Sequence, residues 1–344
     1  MSDIQKDWWI YKGNKTIDDL KEIEPPSWRQ KKRKIEESKE PEQDIYIPTQ
    51  EEKELINTAI YLRRPLLITG KPGLGKSSLA KSVAINLGLG RVLSWHINTK
   101  STLKDGLYSY DAIGRLHDKS DDITKYLKLG ALGSALASKN KRVLLIDEID
   151  KSDIDFPNDL LHVFEENEFI IPELERLGSK KKISLYNVRE DNRFQKITWL
   201  KHFKTMTLKD LQYQYNEFCQ IPNEEKTVEI DNGRVICEDF PIIIMTSNSE
   251  REFSSAFMRR CIHLHIDPPS RADLVQIVNK HFGVDANEDK KISDIIDKFL
   301  ELRTDTHHLA NDQLLSAIYL LLNDEKPFEK SQDVILKSIW KSLS

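Results

Sequence analysis

Apolar runs bounded by turn or polar residues recur through the middle of the chain, and each reads as a strand. Leu66-Leu67-Ile68-Thr69, Val92 to Ile97, Val143 to Ile146 and Ile242 to Met245 lack polar alternation, the pattern of strands buried on both faces. Ile262 to Ile266 adds a further strand. Between these runs apolar residues recur at helical spacing: Leu55, Ile56, Ala59, Ile60 and Leu62 within Glu51 to Leu62, then Ser77 to Leu87 and Asn158 to Glu166. Strands alternating with helices predict a parallel α/β sheet with crossover helices. After Pro268-Pro269 the strand signal stops. Amphipathic helices are predicted over Arg271 to Phe282, Ile292 to Leu302, Asp312 to Leu322 and Gln332 to Leu343, which places a domain boundary near residue 268.

Ahead of the first helix the pattern is different. Trp8, Trp9 and Tyr11 stand among charges, Pro25-Pro26 breaks any helix, and the basic run Arg29 to Lys34 is followed at once by Glu36, Glu37, Glu40, Glu42 and Asp44. Opposite charges this close cancel within a Debye length, so residues 1–48 read as an extension and solvated linker. The whole chain of 344 residues carries 52 basic against 56 acidic residues, which argues against an overall electrostatic grip on nucleic acid or anionic lipid. No apolar run reaches the roughly 18 residues of a membrane span, and the opening residues lack a signal peptide's apolar stretch, so a cytoplasmic protein is expected. Cys219, Cys237 and Cys261 form neither a disulfide framework nor a metal knuckle and read as reduced and structural.

The chemistry is concentrated at strand ends. Gly70-Lys71-Pro72-Gly73-Leu74-Gly75-Lys76-Ser77 fits Gly-x-x-x-x-Gly-Lys-Ser between a predicted strand and a predicted helix. Glycines let the backbone amides converge on a phosphate, and the helix adds the positive end of its dipole. With Ser78 these residues are the candidate nucleotide-binding set, Lys76 for the β- and γ-phosphates and Ser77 for Mg²⁺. Val143-Leu144-Leu145-Ile146-Asp147-Glu148 delivers two carboxylates at a strand's end, Asp147 to hold Mg²⁺ and Glu148 to polarise the attacking water. Ile242 to Met245 leads to Thr246-Ser247-Asn248, where Asn248 could bond the attacking water or the γ-phosphate. Arg259 and Arg260 on a short helix could reach a neighbouring subunit's γ-phosphate. No Asn-Lys-x-Asp tetrapeptide is present to read guanine, so the nucleotide expected is ATP.

These motifs together resemble an AAA+ ATPase, and more narrowly its MoxR-like branch, over roughly residues 50 to 325. The carriers are Gly70 to Ser77, Leu145-Ile146-Asp147-Glu148-Ile149-Asp150-Lys151-Ser152, Thr246-Ser247-Asn248 and Ala256 to Cys261. Residues 8 to 28 and Leu107 to Leu116 further resemble MoxR-type ATPases paired with von Willebrand factor A-domain proteins in bacterial conflict systems. The resemblance implies a P-loop NTPase αβα core over 49–268 and a smaller C-terminal α-helical lid over 269–344. It also implies a helix-2 insert at about 105–133, containing Tyr126 to Gly133, and a pre-sensor insertion at about 178–240 that ends in a hairpin at Asn232-Gly233. It further implies a ring, commonly a hexamer, that uses ATP and Mg²⁺ to remodel a client protein. Asn248 would be sensor 1 and Arg260, or its neighbour Arg259, the arginine finger. The lid arginine of the family is missing from Ala310-Asn311-Asp312-Gln313, and the nearest one, Arg303, lies upstream.

Two other classes fit parts of the pattern: an ATP-gated switch or scaffold with little turnover, and a GTP-using or DNA-directed motor. The insertion bears on the second. From Gly178 to Gln220 it holds nine Lys or Arg against four acids, interleaved with Tyr186, Phe194, Trp199, Phe203, Tyr213, Tyr215 and Phe218. That mixture suits a client surface, a small aromatic core, or nucleic acid. His263-Leu264-His265 puts two imidazoles on one strand face without a third ligand, so polar strand positions are the better reading. Cys261 beside Arg260 could carry a lowered thiol pKa, although a small strand residue fits the position better.

Overall fold

The computed structural model describes residues 26, 45–178, 180–184, 227–304, 308–322 and 334–340. Its elements in chain order are α1 (Gln50–Leu62), β1 (Leu66–Thr69), α2 (Lys76–Asn86), β2 (Leu93–His96), α3 (Leu103–Leu107), β3 (Tyr108–Tyr110), α4 (Ala112–Asp118), β4 (Leu127–Leu129), α5 (Ala131–Ala137) and β5 (Val143–Asp147). There follow α6 (Phe156–Glu166), β6 (Glu168–Ile170), α7 (Pro172–Glu175), β7 (Lys181–Ser184), β8 (Thr227–Ile230), β9 (Arg234–Ile236), β10 (Ile242–Ser247), α8 (Ser255–Met258) and β11 (Ile262–His265). Three helices close the series: α9 (Arg271–Phe282), α10 (Lys290–Leu302) and α11 (Asn311–Leu322). The chain divides into two compact units, one of Pro48–Gly70 with Lys76–His265, the other of Met1–Ile47, Lys71–Gly75 and Ile266–Ser344.

The first unit is built on a five-stranded sheet in the order β11-β1-β10-β5-β2, every neighbouring pair parallel. Parallel pairing sends the chain back across the sheet between strands, so the carboxyl ends of β1, β5 and β10 emerge along one edge. All six residues of β10 are buried, as its unbroken apolar run demands of a middle strand. Leu66, Leu67 and Ile68 of β1 and Val143 to Ile146 of β5 are at most 2% exposed. Each such side chain contributes about 1.5–3 kcal/mol by leaving water. β2 departs from expectation: it is the outermost strand of the sheet, and its residues alternate, Leu93 and Trp95 buried and His96 exposed. An edge strand has one side without a neighbour, which leaves His96 room at the border of the sheet.

Local signals set the helix boundaries. Thr49 caps α1: its hydroxyl accepts from Glu52 N (3.2 Å) while Glu52 Oε2 accepts from Thr49 N (2.8 Å), and Arg63 ends the helix in the left-handed region. α3 and α5 bracket the insert, whose strands β3 and β4 pair antiparallel. The two helices meet again behind it, with Gly130 N donating to Leu107 O at 2.9 Å. A Cβ on Gly133 would stand 1.9 Å from Leu107 O, so only glycine permits that approach.

Asn232 and Gly233 both have positive φ (50° and 71°) and Arg234 N donates to Asp231 O (3.0 Å), the type I′ turn that Asn-Gly predicts. The expected hairpin stops there. Beyond the single Asp231–Arg234 bridge, β8 pairs with β7 and β9 with β6, so the two arms of the turn join different sheets. Gly233 is pressed against the start of α7, its carbonyl accepting from Ile171 N at 2.8 Å, and this draws β9 onto β6. Residues 185–226 of the insertion, with most of its basic and aromatic side chains, lie outside the described residues, as do 1–25 and 27–44 of the extension.

In the second unit α9, α10 and α11 enclose their own apolar cluster, centred on Leu274, Ile295, Ile296, Phe299, Leu314 and Ile318. Trp340 closes it, edge-on to Phe299 at 5.6 Å, within a helical stretch at 334–339; the remainder of the predicted Gln332 to Leu343 helix lies outside the described residues. Among the described residues no helix is long and apolar enough to cross a membrane.

Candidate functional site

Strand register assembles the site. β10 lies between β1 and β5, with Ser247 opposite Thr69 and Met245 opposite Ile146. One step further along each strand, Asn248 stands beside Gly70 and Thr246 beside Asp147. Residues more than 170 positions apart are thereby brought within hydrogen-bond reach at the sheet's carboxyl edge, where open α/β sheets bind ligands.

Lys76, the first residue of α2, is only 7% exposed, and its Nζ donates to Gly70 O (2.5 Å) and to Asn248 Oδ1 (2.7 Å). Burial lowers its pKa from 10.5, while Asp150, Asp147 and Glu148 in turn favour the charged form. The loop before it turns on Gly70, Gly73 and Gly75 at φ 145°, 76° and 97°, conformations that side-chain-bearing residues rarely adopt. Ser77 Oγ donates to Asp147 Oδ1 at 2.8 Å, and Thr246 Oγ1 donates to the same oxygen at 2.6 Å. A hydroxyl and a carboxylate in contact are hard oxygen donors of the kind Mg²⁺ takes. The buried ammonium of Lys76 suits a polyphosphate. Ser78 points to the exposed side of α2.

Glu148 follows β5 in the left-handed region (φ 61°, ψ 48°), a cost that non-glycine residues bear chiefly at functional sites. Its backbone N–H donates to Thr246 Oγ1 (2.9 Å), and its carboxylate accepts from Lys151 Nζ (2.8 Å). Asn248 is tied down by its backbone: Asp150 Oδ2 accepts from Asn248 N (2.8 Å) and from Glu250 N (3.2 Å). Arg251 braces the same turn by donating to Ser152 Oγ (2.9 Å) and Asp153 O (3.0 Å).

The arginine pair is divided. Arg260 forms an ion pair with Glu165 of α6, whereas Arg259 is exposed. Neither joins the cluster around Lys76 within one chain. In the second unit Arg303, at the end of α10, folds back so that Nη2 donates to Asn311 Oδ1 (3.0 Å) at the start of α11, and Asn311 N donates to Gly73 O (3.1 Å). An arginine eight positions upstream in sequence thus lies beside the segment from which one was missing.

Other candidates resolve simply. Cys261 is buried, and burial pushes its thiol up to about 12, the opposite of an activated nucleophile. His263 and His265 have separate partners, Met258 O (2.6 Å) and Thr69 Oγ1 (3.0 Å). Among the described residues no group of three or more His, Cys, Asp or Glu could hold a metal ion.

Sequence reasoning assigned no role to Thr246, Asp150, Lys151 or His96. Thr246 and Asp150 stood inside quoted motifs, but only strand register shows what they touch. His96 Nδ1 lies 3.2 Å from Asp147 Oδ2 because β2 pairs with β5, His96 opposite Asp147.

The family model described as AAA domain (dynein-related subfamily) matches residues 65–261, more than half of the chain. The chain belongs to the AAA domain family. Members of this family bind nucleotide, typically with Mg²⁺, and are generally ATPases. The AAA domain here has the family's α/β P-loop core with its parallel central sheet, followed by C-terminal helices. Among solved structures, domain III of the Thermotoga maritima replication initiation protein DnaA is similar at 16% identity with a TM-score of 0.40, over 87% of this chain and 96% of that one. No curated protein matches this AAA domain chain.

Proposed function

We propose that this protein is an ATP-hydrolysing subunit of a MoxR-like ring, a hexamer, that remodels a partner protein in a bacterial conflict system. The observation that carries the hydrolytic reading is the convergence of Lys76, Ser77, Asp147 and Asn248 through bonds of 2.7–2.8 Å at the carboxyl edge of the sheet. In this reading the amides of Gly70 to Ser77 cradle the phosphates and Lys76 offsets their charge. Ser77 and Asp147 would hold Mg²⁺, which when bound neutralises charge on the phosphates. Glu148 accepts the proton of the attacking water, and Asn248, oriented by Asp150, positions that water.

Ring assembly is supported by family membership and by Arg259, exposed beside the ion-paired Arg260. Arg260, after exchanging Glu165, or Arg259 directly, would stabilise charge on the γ-phosphate held by the next subunit. The partner proposed is a von Willebrand factor A-domain protein, on the resemblance of Leu107 to Leu116. The test compares two variants. Lys76→Ala is expected to abolish nucleotide binding, and Glu148→Gln to keep ATP bound while hydrolysis falls by about 10² or more. Equal loss of binding in both would overturn the division of roles.

One contact favours a second reading, an ATP-gated switch with little turnover. The Lys151 ammonium holds the Glu148 carboxylate, so the base is occupied in the resting chain. Turnover measured with and without the partner separates the two readings.

A further inference from the structure

Two turns of the first unit follow strand ends of the site, one running from Glu148 to Asp153 and the other from Asn248 to Phe253. Each holds a non-glycine residue in the left-handed region, Glu148 at φ 61° and Ser249 at φ 63°. Backbone of that kind persists only where its surroundings over-determine it. At the near end the turns are joined by Thr246 Oγ1, which accepts from Glu148 N (2.9 Å), and by Asp150 Oδ2, which accepts from Asn248 N (2.8 Å). At the far end the joint is Arg251. Its Nη2 donates to Ser152 Oγ (2.9 Å) and to Asp153 O (3.0 Å). Ser152 is 7% exposed, and its hydroxyl proton goes to Ile149 O (2.7 Å), so the contact runs from the guanidinium to the residue that follows Glu148. On its other side Arg251 lies over the Phe253 ring (5.7 Å), and Phe253 packs against the fully buried Phe257 at 5.1 Å. The arginine is thus anchored to the core at one end and to the Glu148 turn at the other. Stability alone accounts for it poorly. Arg251 Nε is buried without an acceptor among the described residues, a desolvation cost that offsets part of what the two bonds contribute.

We infer that Arg251 is a positioning residue for hydrolysis, holding the turn that sets the Glu148 carboxylate against the attacking water. The inference rests on the reading of Glu148 as the group that accepts the water's proton. Among the described residues Arg251 bonds to Ser152 and Asp153 and not to Lys76, Ser77 or Asp147, so its effect falls on the placing of Glu148 and not on the holding of nucleotide. A planar guanidinium meets its two acceptors in fixed directions, whereas a lysine ammonium on a flexible stem holds them less firmly.

The experiment compares, in the full chain, kcat for hydrolysis of Mg²⁺-ATP with affinity for a non-hydrolysable ATP analogue. Arg251→Ala is expected to lower kcat about ten- to a hundredfold, the worth of a displacement of up to about 1 Å, while affinity for the analogue changes less than about twofold. Arg251→Lys should recover part of the rate. In the Glu148→Gln background Arg251→Ala should lower the residual rate by less than about twofold, because a residue acting through Glu148 then has nothing further to lose. A purely structural brace would lower thermal stability and leave kcat per folded chain unmoved. Unchanged kcat, rate and affinity falling together, or the same fold loss in both backgrounds would overturn the inference. If Arg251→Ala fails to fold, judged by circular dichroism, Ser152→Ala cuts the same contact from the other side and carries the same comparison. A Glu148→Gln chain that hydrolyses at the wild-type rate would instead refute the reading of Glu148 on which the inference rests.

Discussion

Removing the Asp150 carboxylate should damage the site without touching any residue that would meet the nucleotide. Asp150 is 5% exposed, and its Oδ2 accepts from the backbone N–H groups of Asn248 (2.8 Å) and Glu250 (3.2 Å). Hydrogen bonds to a charged acceptor are worth about 1.5–3 kcal/mol each, and Asp150→Ala leaves two donors without their acceptor, so a loss of about 3–6 kcal/mol is expected. Asp150→Asn keeps an acceptor oxygen but gives up the charge and sets an amide NH₂ where the buried Oδ1 has no partner among the described residues, and about 1–3 kcal/mol is expected. The functional effect follows from what the turn carries. Asn248 bonds Lys76 from the end of β10, and displacement of a positioning group by about 1 Å can cost 10² in rate. Urea denaturation gives the stability change, and steady-state ATP hydrolysis at saturating Mg²⁺-ATP gives the rate. The reasoning fails if Asp150→Ala unfolds at the wild-type midpoint, or if it is destabilised yet hydrolyses ATP at the wild-type rate.

Other consequences are open to direct measurement. Cys261 titrates near 9 when exposed and is pushed up to about 12 by burial, so the folded chain holds this proton more tightly than the unfolded one. Its contribution to stability is whole below pH 9 and is lost as pH rises, roughly 2–3 kcal/mol by pH 11; the alkaline limb of the unfolding curve should flatten by that amount in Cys261→Ala. For the arginine pair, Arg260→Ala should bind ATP normally and regain hydrolysis when mixed with Glu148→Gln subunits, because some interfaces then hold both intact groups; no recovery in mixed assemblies counts against action across subunits. Lys151→Ala frees the Glu148 carboxylate, and basal hydrolysis should rise if that contact restrains the resting enzyme; an unchanged basal rate removes the support for the switch.

Much of the architecture is legible in the sequence because it follows from local chemistry. Unbroken apolar runs at Leu66, Val143 and Ile242 can be satisfied only inside a sheet covered on both faces, and β1, β5 and β10 appear there. Ser270 with Asp273 specifies the start of α9, as Thr49 with Glu52 does for α1. Glycines at Gly70, Gly73 and Gly75 announce a loop whose backbone no other residue adopts with ease. Asn232-Gly233 fixed its turn but not the fate of the arms, since strand pairing is a competition among distant partners that a turn of four residues does not decide.

Long-range register was the part that sequence could not supply. The order β11-β1-β10-β5-β2 places Thr246 on Asp147, Asn248 on Lys76 and His96 beside Asp147, contacts spanning 99, 172 and 51 positions. A parallel pair can slip by a residue without altering its own composition, but a slip turns every side chain to the opposite face, and only packing against both neighbouring strands forbids it. The same holds for Arg303, whose distance along the chain from Ala310 disguised its place. The end of α10 and the start of α11 meet because Ile295, Ile296 and Phe299 must share a core with Leu314 and Ile318. Sequence determined which residues could do the chemistry, through motifs whose spacing is local. Tertiary structure decided which of them meet, because burying apolar faces together is a cooperative choice made by the whole chain.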